Sequence, residues 1–517
     1  MRKYFYVLVS LLLLILIAIG CSNNENGNES GNNNNGESED ESILLIAADQ
    51  DPSGMDPHTT TASSSHRIMG KIYEGLIDLD EDRNFVPQLA EDWEQVDDTT
   101  YLFKLREGVK FHNGREMVAE DVKYSFERIL DPDTGAISAS YFQALDEVNV
   151  LDDYEVEFKL SQPYAPFLAY VASGANVAII PKEEVEEHGD LDQVAVGTGP
   201  FVLDEMIPDT HVSLSKNEDY YIEGKPEIDG LKYLTMVDES SRLAAIRTGE
   251  VHFTTVTPDS VELLDENEGI ELISYDDLEY YYLGFNVTRD PLIEKEVRQA
   301  ISLAVDREEI IETVMGGDAK LSGPIPESLG DWSIDVSEHE LYQPDIEKAK
   351  NLLEEAGVGE GFEVEMGVPS TEPLLVSAAQ IIEQQLAQIG IDATIVQLEW
   401  GEYIDAWGDN TYDMLVGKNG PGRDPDRSLG FFFATEGSGN VWEYSNEEYD
   451  EIIERGLREV DEEKRHEIYE EAQNLLLEDS PNLFLLMPKN FIVTRDNISG
   501  YDPVPHDSEN FLDLIIE

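Results

Sequence analysis

"LLVSAAQIIEQQLAQIG", residues 374–390, runs directly into "IDATIVQLEW", residues 391–400, and the pattern changes at Gly390. The first stretch reads as a helix that stops at the glycine, and the second alternates as a strand does. Upstream, "PDIEKAKNLLEEAG" (344–357) starts after Pro344 and stops at Gly357, and "EVRQAISLAV" (296–305) puts Val297, Ala300, Ile301 and Ala304 on one helical stripe. Helix, glycine, strand in succession is the grammar of a mixed α/β domain.

Further toward the amino end the same alternation of periods continues. "SILLIAA" (42–48) reads as a buried strand, and "TYLFKL" (100–105) and "YEVEFKL" (154–160) as half-buried ones. Between the last two, Asn113-Gly114 signals a turn and the residues from Ala119 have helical spacing. No fixed-period repeat interrupts this order.

The first 42 residues are of another kind. Arg2 and Lys3 precede the apolar run "YVLVSLLLLILIAIG" (6–20), which is too short to span a bilayer comfortably and ends at small residues, so residues 1–20 are expected to be a signal peptide. "AIGC" resembles the bacterial lipobox, which implies a lipid on Cys21. Cys21 is also the only cysteine in 517 residues, so the mature protein can form no disulfide within itself and no thiolate site. Residues 22–42, "SNNENGNESGNNNNGESEDES", carry no apolar side chain, and residues 21–42 are read as a tether reaching on the order of 25 Å.

The charge excludes one class of partner. With 34 Lys and Arg against 110 Asp and Glu, a net charge of −76, the protein would repel nucleic acid. The same charge implies self-repulsion that fades in molar salt, where the screening length is roughly 3 Å, so a saline or alkaline habitat is expected. Chemistry-bearing motifs are missing too: there is no phosphate-binding glycine loop, no GxSxG elbow, and His466-Glu467 lacks a second histidine. "DLDEDRN" (78–84) imitates the start of a calcium loop, but Arg83 stands at the glycine position and Leu89 at the final glutamate position. No catalytic residue, metal or cofactor is expected, and the odds shift toward binding.

Several blocks then carry a resemblance: "MDPHTTTASSSHRIMGKIYEGLIDLDEDRNFVPQLAEDWE" (55–94), "YLFKLREGVKFHNGREMVAEDVKYSFERI" (101–129), "VGTGPF" (196–201), "LGFNV" (283–287) with "EVRQAISLAVDREEII" (296–311), "DIEKAKNLLEEAGVGEGF" (345–362) and "SPNLFLLMPKNFIV" (480–493). In their order they are similar to family 5 extracellular solute-binding proteins, the oligopeptide, dipeptide and nickel receptors of ABC importers. The resemblance implies a two-lobed, periplasmic-binding-protein-like α/β fold that closes on its ligand by a hinge. Residues 43–77, 196–283 and 491–517 would form lobe I, residues 78–195 a subdomain inserted in it, and residues 284–490 lobe II, with hinge strands near "LGFN" and "LMPKNF".

The site residues follow from the same resemblance. An extended peptide would pair with the backbone of Thr61, Ala62 and Ser63, though these residues also read as the cap of the helix after them. Trp400 would wall a side-chain pocket. Tyr280 and Tyr282 share one strand face and Tyr281 the other, and one face is expected to see the cleft; Tyr280 and Tyr282 are carried as candidates.

In "GKNGPGRDPDRS" (417–428) the family's amine-gripping aspartate falls on Pro421 or Gly422, so the loop departs from the peptide pattern. Asn419, Arg423 and Asp424 are the candidates there. Asp424 would take the ligand's amine, or Arg423 would pair with a carboxylate or phosphate, or the ligand is not a peptide. The plain alternative has Arg423 and Arg427 bridging surface acids.

The expected role is a monomeric, lipid-anchored receptor on the outer face of the cell membrane that hands a peptide-like solute to an ABC permease. Oligosaccharide or a nickel complex is the alternative cargo, and a secreted hydrolase or a sensory or chaperone-like lipoprotein the alternative class.

Overall fold

The computed structural model describes residues 42–60, 62–261, 263–264, 269–503 and 509–517. Cys21, the expected signal peptide, the tether up to residue 41, and Thr61 lie outside them. Ser42, counted with the tether above, is tied to the folded body: its backbone N–H and hydroxyl both donate to Asp229 Oδ2, at 2.8 and 3.0 Å.

The succession of helix, glycine and strand is present between Pro373 and Leu398. The helix Pro373–Ala387 starts with proline in its first turn, where a missing N–H costs nothing, and buries Leu375, Ala378, Ala379, Ile382 and Leu386. Gly390 takes φ +87°, which glycine adopts without a Cβ penalty. The backbone then enters the strand Ile391–Leu398, parallel to Phe362–Pro369. The helix Lys295–Ala304 buries the foreseen stripe of Val297, Ala300, Ile301 and Ala304.

Among the described residues twelve strands form one continuous sheet. One strand, Asn482–Arg495, runs through its middle and has different partners at its two ends. Residues 482–488 pair with Tyr280–Phe285 and Ala319–Leu321, which leads on to Met414–Asn419, Phe362–Pro369 and Ile391–Leu398. Residues 489–495 pair with Phe253–Val256 and Ile270–Asp276, which leads on to Ile43–Ala48, Gly230–Thr235, His211–Lys216 and Phe201–Ile207. The backbone therefore passes from one half of the sheet to the other at 488–490 and at 277–279. The second passage precedes "LGFN", because Tyr280–Phe285 already pairs wholly with the Met414–Asn419 side.

A separate antiparallel sheet comprises Ala90–Asp97, Thr100–Leu105, Glu155–Leu160 and Leu145–Asp152. Tyr101, Phe103 and Leu105 bury one face together with Val156, Phe158 and Leu160, as their alternation foretold, and the helix Ala119–Leu130 covers it with Val122, Phe126 and Ile129. This core gathers residues 76–179. Ile180, Leu191 and Ala195 instead pack on Leu44, Ile46 and Leu231.

Candidate ligand-binding cleft

Two adjoining cavities, of about 750 and 1160 Å³, open where the strands change halves. Asp49, Ser63, Arg67, Asp277, Glu279 and Lys418 line both, so the two are one cleft with a charged middle. Asp49 follows the strand Ile43–Ala48, and Asp277 and Glu279 sit in the passage between Ile270–Asp276 and Tyr280–Phe285. Lys418 comes from the strand Met414–Asn419. Both halves of the sheet thus supply the lining.

The charges in the middle are mostly paired. Arg67 lies 3.3 Å from Asp49 and 3.2 Å from Glu509. Lys418 lies 3.1 Å from Glu279 and 3.7 Å from Glu372. Burial by itself would lower the Lys418 ammonium, but the Glu279 and Glu372 charges more than reverse it. Burial raises the Glu279 carboxyl against the pull of Lys418. Asp277 accepts hydrogen bonds from Asn490 Nδ2 at 2.6 Å and from the Glu279 N–H at 3.1 Å.

At the end confined to the larger cavity stands Trp400, 48 % exposed, first residue of the helix Trp400–Gly408 and stacked on Tyr403 with ring centroids 5.9 Å apart. Tyr281 and Leu374 line the same end. Ala62 and Ser63 border it as well. Ala62 caps the helix Ser63–Ile72, its carbonyl accepting from the Ser65 and His66 N–H groups at 3.0 and 3.1 Å. The cap and the cleft position coexist there.

Tyr280 and Tyr282 require a correction. Both are buried, 0 and 1 % exposed, among Trp442, Phe484 and Tyr403, and neither lines the cleft; the alternate residue, Tyr281, does. Gly417 lies opposite Tyr282, and a Cβ there would fall 2.2 Å from the Tyr403 hydroxyl and 2.5 Å from that of Tyr282. Residues 417–419 are therefore the end of a strand and not loop, with a glycine where this aromatic core leaves no space.

Asp424 is a second correction. It is 3 % exposed and takes two hydrogen bonds from Arg465, at 2.7 and 2.8 Å, inside the protein. A carboxylate so engaged is not available to a ligand's amine. Arg423 does line the smaller cavity, but its Nη1 donates to Asp78 Oδ1 at 2.9 Å. Arg83, at the false calcium loop's glycine position, takes φ +67° and donates to the Arg423 carbonyl at 3.1 Å. Asn419 is partly buried, with no hydrogen-bond partner on its Nδ2, and does not line either cavity.

Sequence reasoning passed over Asp277, Glu279, Lys418 and Asn490. The acids in "SYDDLEYYY" look like any other acidic run in this protein, and only the strand passage gives them a place. Among the described residues no group of three or more His, Cys, Asp or Glu is placed to hold a metal ion.

This geometry can be set beside known proteins. The family model for bacterial extracellular solute-binding proteins, family 5 middle, matches residues 84–440, well over half of the chain. The chain is a family 5 bacterial extracellular solute-binding protein. It is 32 % identical to the di/tripeptide-binding protein 1 of Pseudomonas aeruginosa over 462 residues, 82 % of this protein and 85 % of that one. To the dipeptide-binding protein of Escherichia coli K12 it is 31 % identical over 513 residues, 92 and 94 % of the two proteins.

Among solved structures it resembles DppA of Helicobacter pylori, a periplasmic binding protein in complex with the peptide STSA. The TM-score is 0.81 at 28 % identity, covering 92 % of this protein and 98 % of that one. The fold of this family member is thus the two-lobed α/β fold of periplasmic binding proteins. Members of the family are solute-binding receptors, and among the described residues no helix is long and apolar enough to cross a membrane.

Proposed function

We propose that this family 5 protein is the substrate-binding receptor of an ABC importer and captures peptides in the cleft between its lobes. The observation that carries this reading is the position of the cleft: its charged middle is assembled from both halves of the sheet, at the two passages where the backbone crosses between them. A ligand held there touches both halves at once, so its binding energy favours the closed arrangement, the state a permease can distinguish. Named relatives that bind di- and tripeptides over more than four fifths of the sequence support the choice of cargo. Residues 277–279 and 488–490 would bend as the hinge.

Trp400 and Tyr281 would receive a ligand side chain, and Ala62 and Ser63 its backbone. Cys21 would carry the lipid that keeps the receptor at the outer face of the membrane, and the receptor would act as a monomer. The charge of −76 would suit a saline surrounding.

Thermal unfolding of the mature protein in molar salt tests the cargo, with pools of di- to pentapeptides, cello- and xylo-oligosaccharides, and Ni²⁺ as separate additions. Ligand at a hundred times its dissociation constant stabilises the native state by about 2.7 kcal/mol, a shift of a few degrees in a protein of this size. A shift with peptides alone is expected, whereas a shift with sugars alone would replace the peptide reading. Mass spectrometry of the membrane-extracted protein checks Cys21 for a lipid.

A further inference from the structure

In the loop after the strand Met414–Asn419 two carboxylates stand beside one guanidinium. Asp424 takes two hydrogen bonds from Arg465, whose other contacts go to the Gly456 carbonyl at 3.0 Å and the Tyr469 hydroxyl at 3.2 Å. Asp426, 7 % exposed, has no cation of its own and accepts from the Tyr469 hydroxyl at 3.4 Å. Two like charges in one dry place are costly, so the neutral form of Asp426 is favoured.

The other side of Asp426 is covered from across the cleft. Tyr164 and Tyr170 belong to the body whose core gathers residues 76–179. Burial first, and then the Asp426 charge, hold both their hydroxyls up, and the Tyr170 hydroxyl hydrogen-bonds Asp426. Tyr141 stacks on Tyr170 with centroids 4.6 Å apart and meets the Arg427 guanidinium at 5.9 Å, which lies 4.2 Å from Phe431 as well. Facing Asp426 are thus Asp424, Arg465, Tyr449 and Tyr469 from its own half, and Tyr164 and Tyr170 from the other.

These contacts have no backbone behind them. The body of residues 76–179 leads at both ends into the Ile43–Ala48 half of the sheet, and the passages at 277–279 and 488–490 are where the backbone crosses to the Met414–Asn419 half. Tyr141 and Tyr170 line the 750 Å³ cavity on one side, Arg423 and Arg427 on the other. When the halves part, Tyr170 leaves Asp426.

We propose that closing the cleft makes Asp426 take up a proton, so that the receptor holds its ligand more tightly in acid than in base. The proposal rests on the closure described above. Opening lets water reach the Tyr170 side of Asp426 while Asp424 stays beside it. Burial is the largest influence on this carboxyl and the Tyr170 hydrogen bond a small one, so closing favours the proton. With the contacts made, the carboxyl is held up to about 7 against an ordinary 3.8. The added affinity is therefore fully present below the open-state value and lost as pH rises to about 7, where it levels off.

The test is calorimetric titration of the mature protein in 2 M NaCl with alanine peptides of two to five residues, from pH 4.5 to 8.5, on the wild type and Asp426→Asn. At pH 6 it is repeated in two buffers of different ionisation heat, which counts protons. The amide of the variant stays neutral in both states.

The two proteins should bind alike at pH 4.5, and the variant roughly tenfold more tightly at pH 8, the ratio that one unit of difference between open and closed carboxyl gives. Other groups titrate in both proteins and cancel in the comparison. At pH 6, where a peptide's own amine and carboxylate scarcely titrate, the wild type should take up a fraction of a proton on binding. No uptake there would overturn the proposal whatever the variant does. Parallel pH profiles would overturn it and leave the receptor reading standing, and so would a variant weaker by one factor at every pH, which makes Asp426 a packing residue. Binding of no peptide by either protein at any pH would overturn the peptide reading and the proposal together.

Discussion

The turns Asp56-Pro57-His58 and Asp424-Pro425-Asp426 are built alike and behave oppositely. In each, the first aspartate accepts two hydrogen bonds from an arginine on a distant helix: Arg128 at 2.6 and 3.0 Å, and Arg465 at 2.7 and 2.8 Å. In each, Oδ1 also accepts the backbone N–H two residues on, from His58 at 3.1 Å and from Asp426 at 2.9 Å. The third residue decides the rest.

His58 is buried with its Nδ1 accepting from Arg128 at 2.9 Å and its Nε2 donating to the Ala178 carbonyl at 3.0 Å; burial, and then the Arg128 charge, push it down to about 4. Asp426 is buried against Asp424; burial, and then the Asp424 charge, push it up to about 7. One turn resists gaining a proton and the other resists losing one. The clamp is structural in both, and its chemistry comes from the residue beside it.

The largest effect should come from breaking the clamps. Arg465→Met leaves Asp424 buried without its cation and beside a second acid, and should destabilise the protein by about 3–5 kcal/mol in urea unfolding at pH 7. Arg128→Met should cost less, because His58, freed from the Arg128 charge, can take up a proton and serve as the cation. The Arg128→Met deficit should therefore shrink as pH falls toward 5, while that of Arg465→Met should not shrink by such a route. Equal and parallel deficits would mean that the third residue is irrelevant.

The next effects are in pH alone. Asp426 is raised from an ordinary 3.8 to about 7, so the folded state holds a proton that the unfolded state releases. Its contribution is fully present below about pH 4 and lost as pH rises through 7, so Asp426→Asn should gain on the wild type by on the order of 2–4 kcal/mol at pH 8. His58 is lowered from an ordinary 6.5 to about 4, so the unfolded state binds the proton first. Its contribution is present above pH 6.5 and lost as pH falls toward 4, on the order of 2–3 kcal/mol. His58→Gln should flatten that acid limb. Urea midpoints from pH 4 to 9 separate the two, and a wild-type curve without both limbs would dissolve the contrast.

What the sequence showed and what it concealed divide by distance along the backbone. The unit from Pro373 to Leu398 was legible because its period, its proline and Gly390 are all local signals, and so was the buried stripe on Lys295–Ala304. The tyrosines were half legible: alternation separates Tyr281 from Tyr280 and Tyr282, but both faces of that strand are covered, so alternation does not say which cover is a cleft. Asp424 was misread because its partner, Arg465, lies 41 residues away. Arg423 and Arg427 look equivalent in the sequence, and Asp78, 345 residues from Arg423, is what distinguishes them.

That Asp78–Arg423 pair gives the smallest prediction, and it contrasts with both clamps. Its side chains are 35 and 16 % exposed, so as an ion pair it is worth roughly 0–1 kcal/mol, far below a buried clamp. Yet it joins the loop after Met414–Asn419 to the start of the segment expected to be inserted, beside two more links: Arg83 to the Arg423 carbonyl, and the Ala165 N–H to the Leu457 carbonyl at 2.8 Å. If these parts separate when the cleft opens, the pair's energy falls on the closed state rather than on folding. Asp78→Asn should then move the urea midpoint little but weaken peptide binding by up to about fivefold, by depopulating the closed form. The weakening should be greater in 0.1 M salt than in 2 M, where the charges are screened within a few Å. A stability loss of several kcal/mol with unchanged affinity would instead make the pair a third clamp, joining parts that do not come apart.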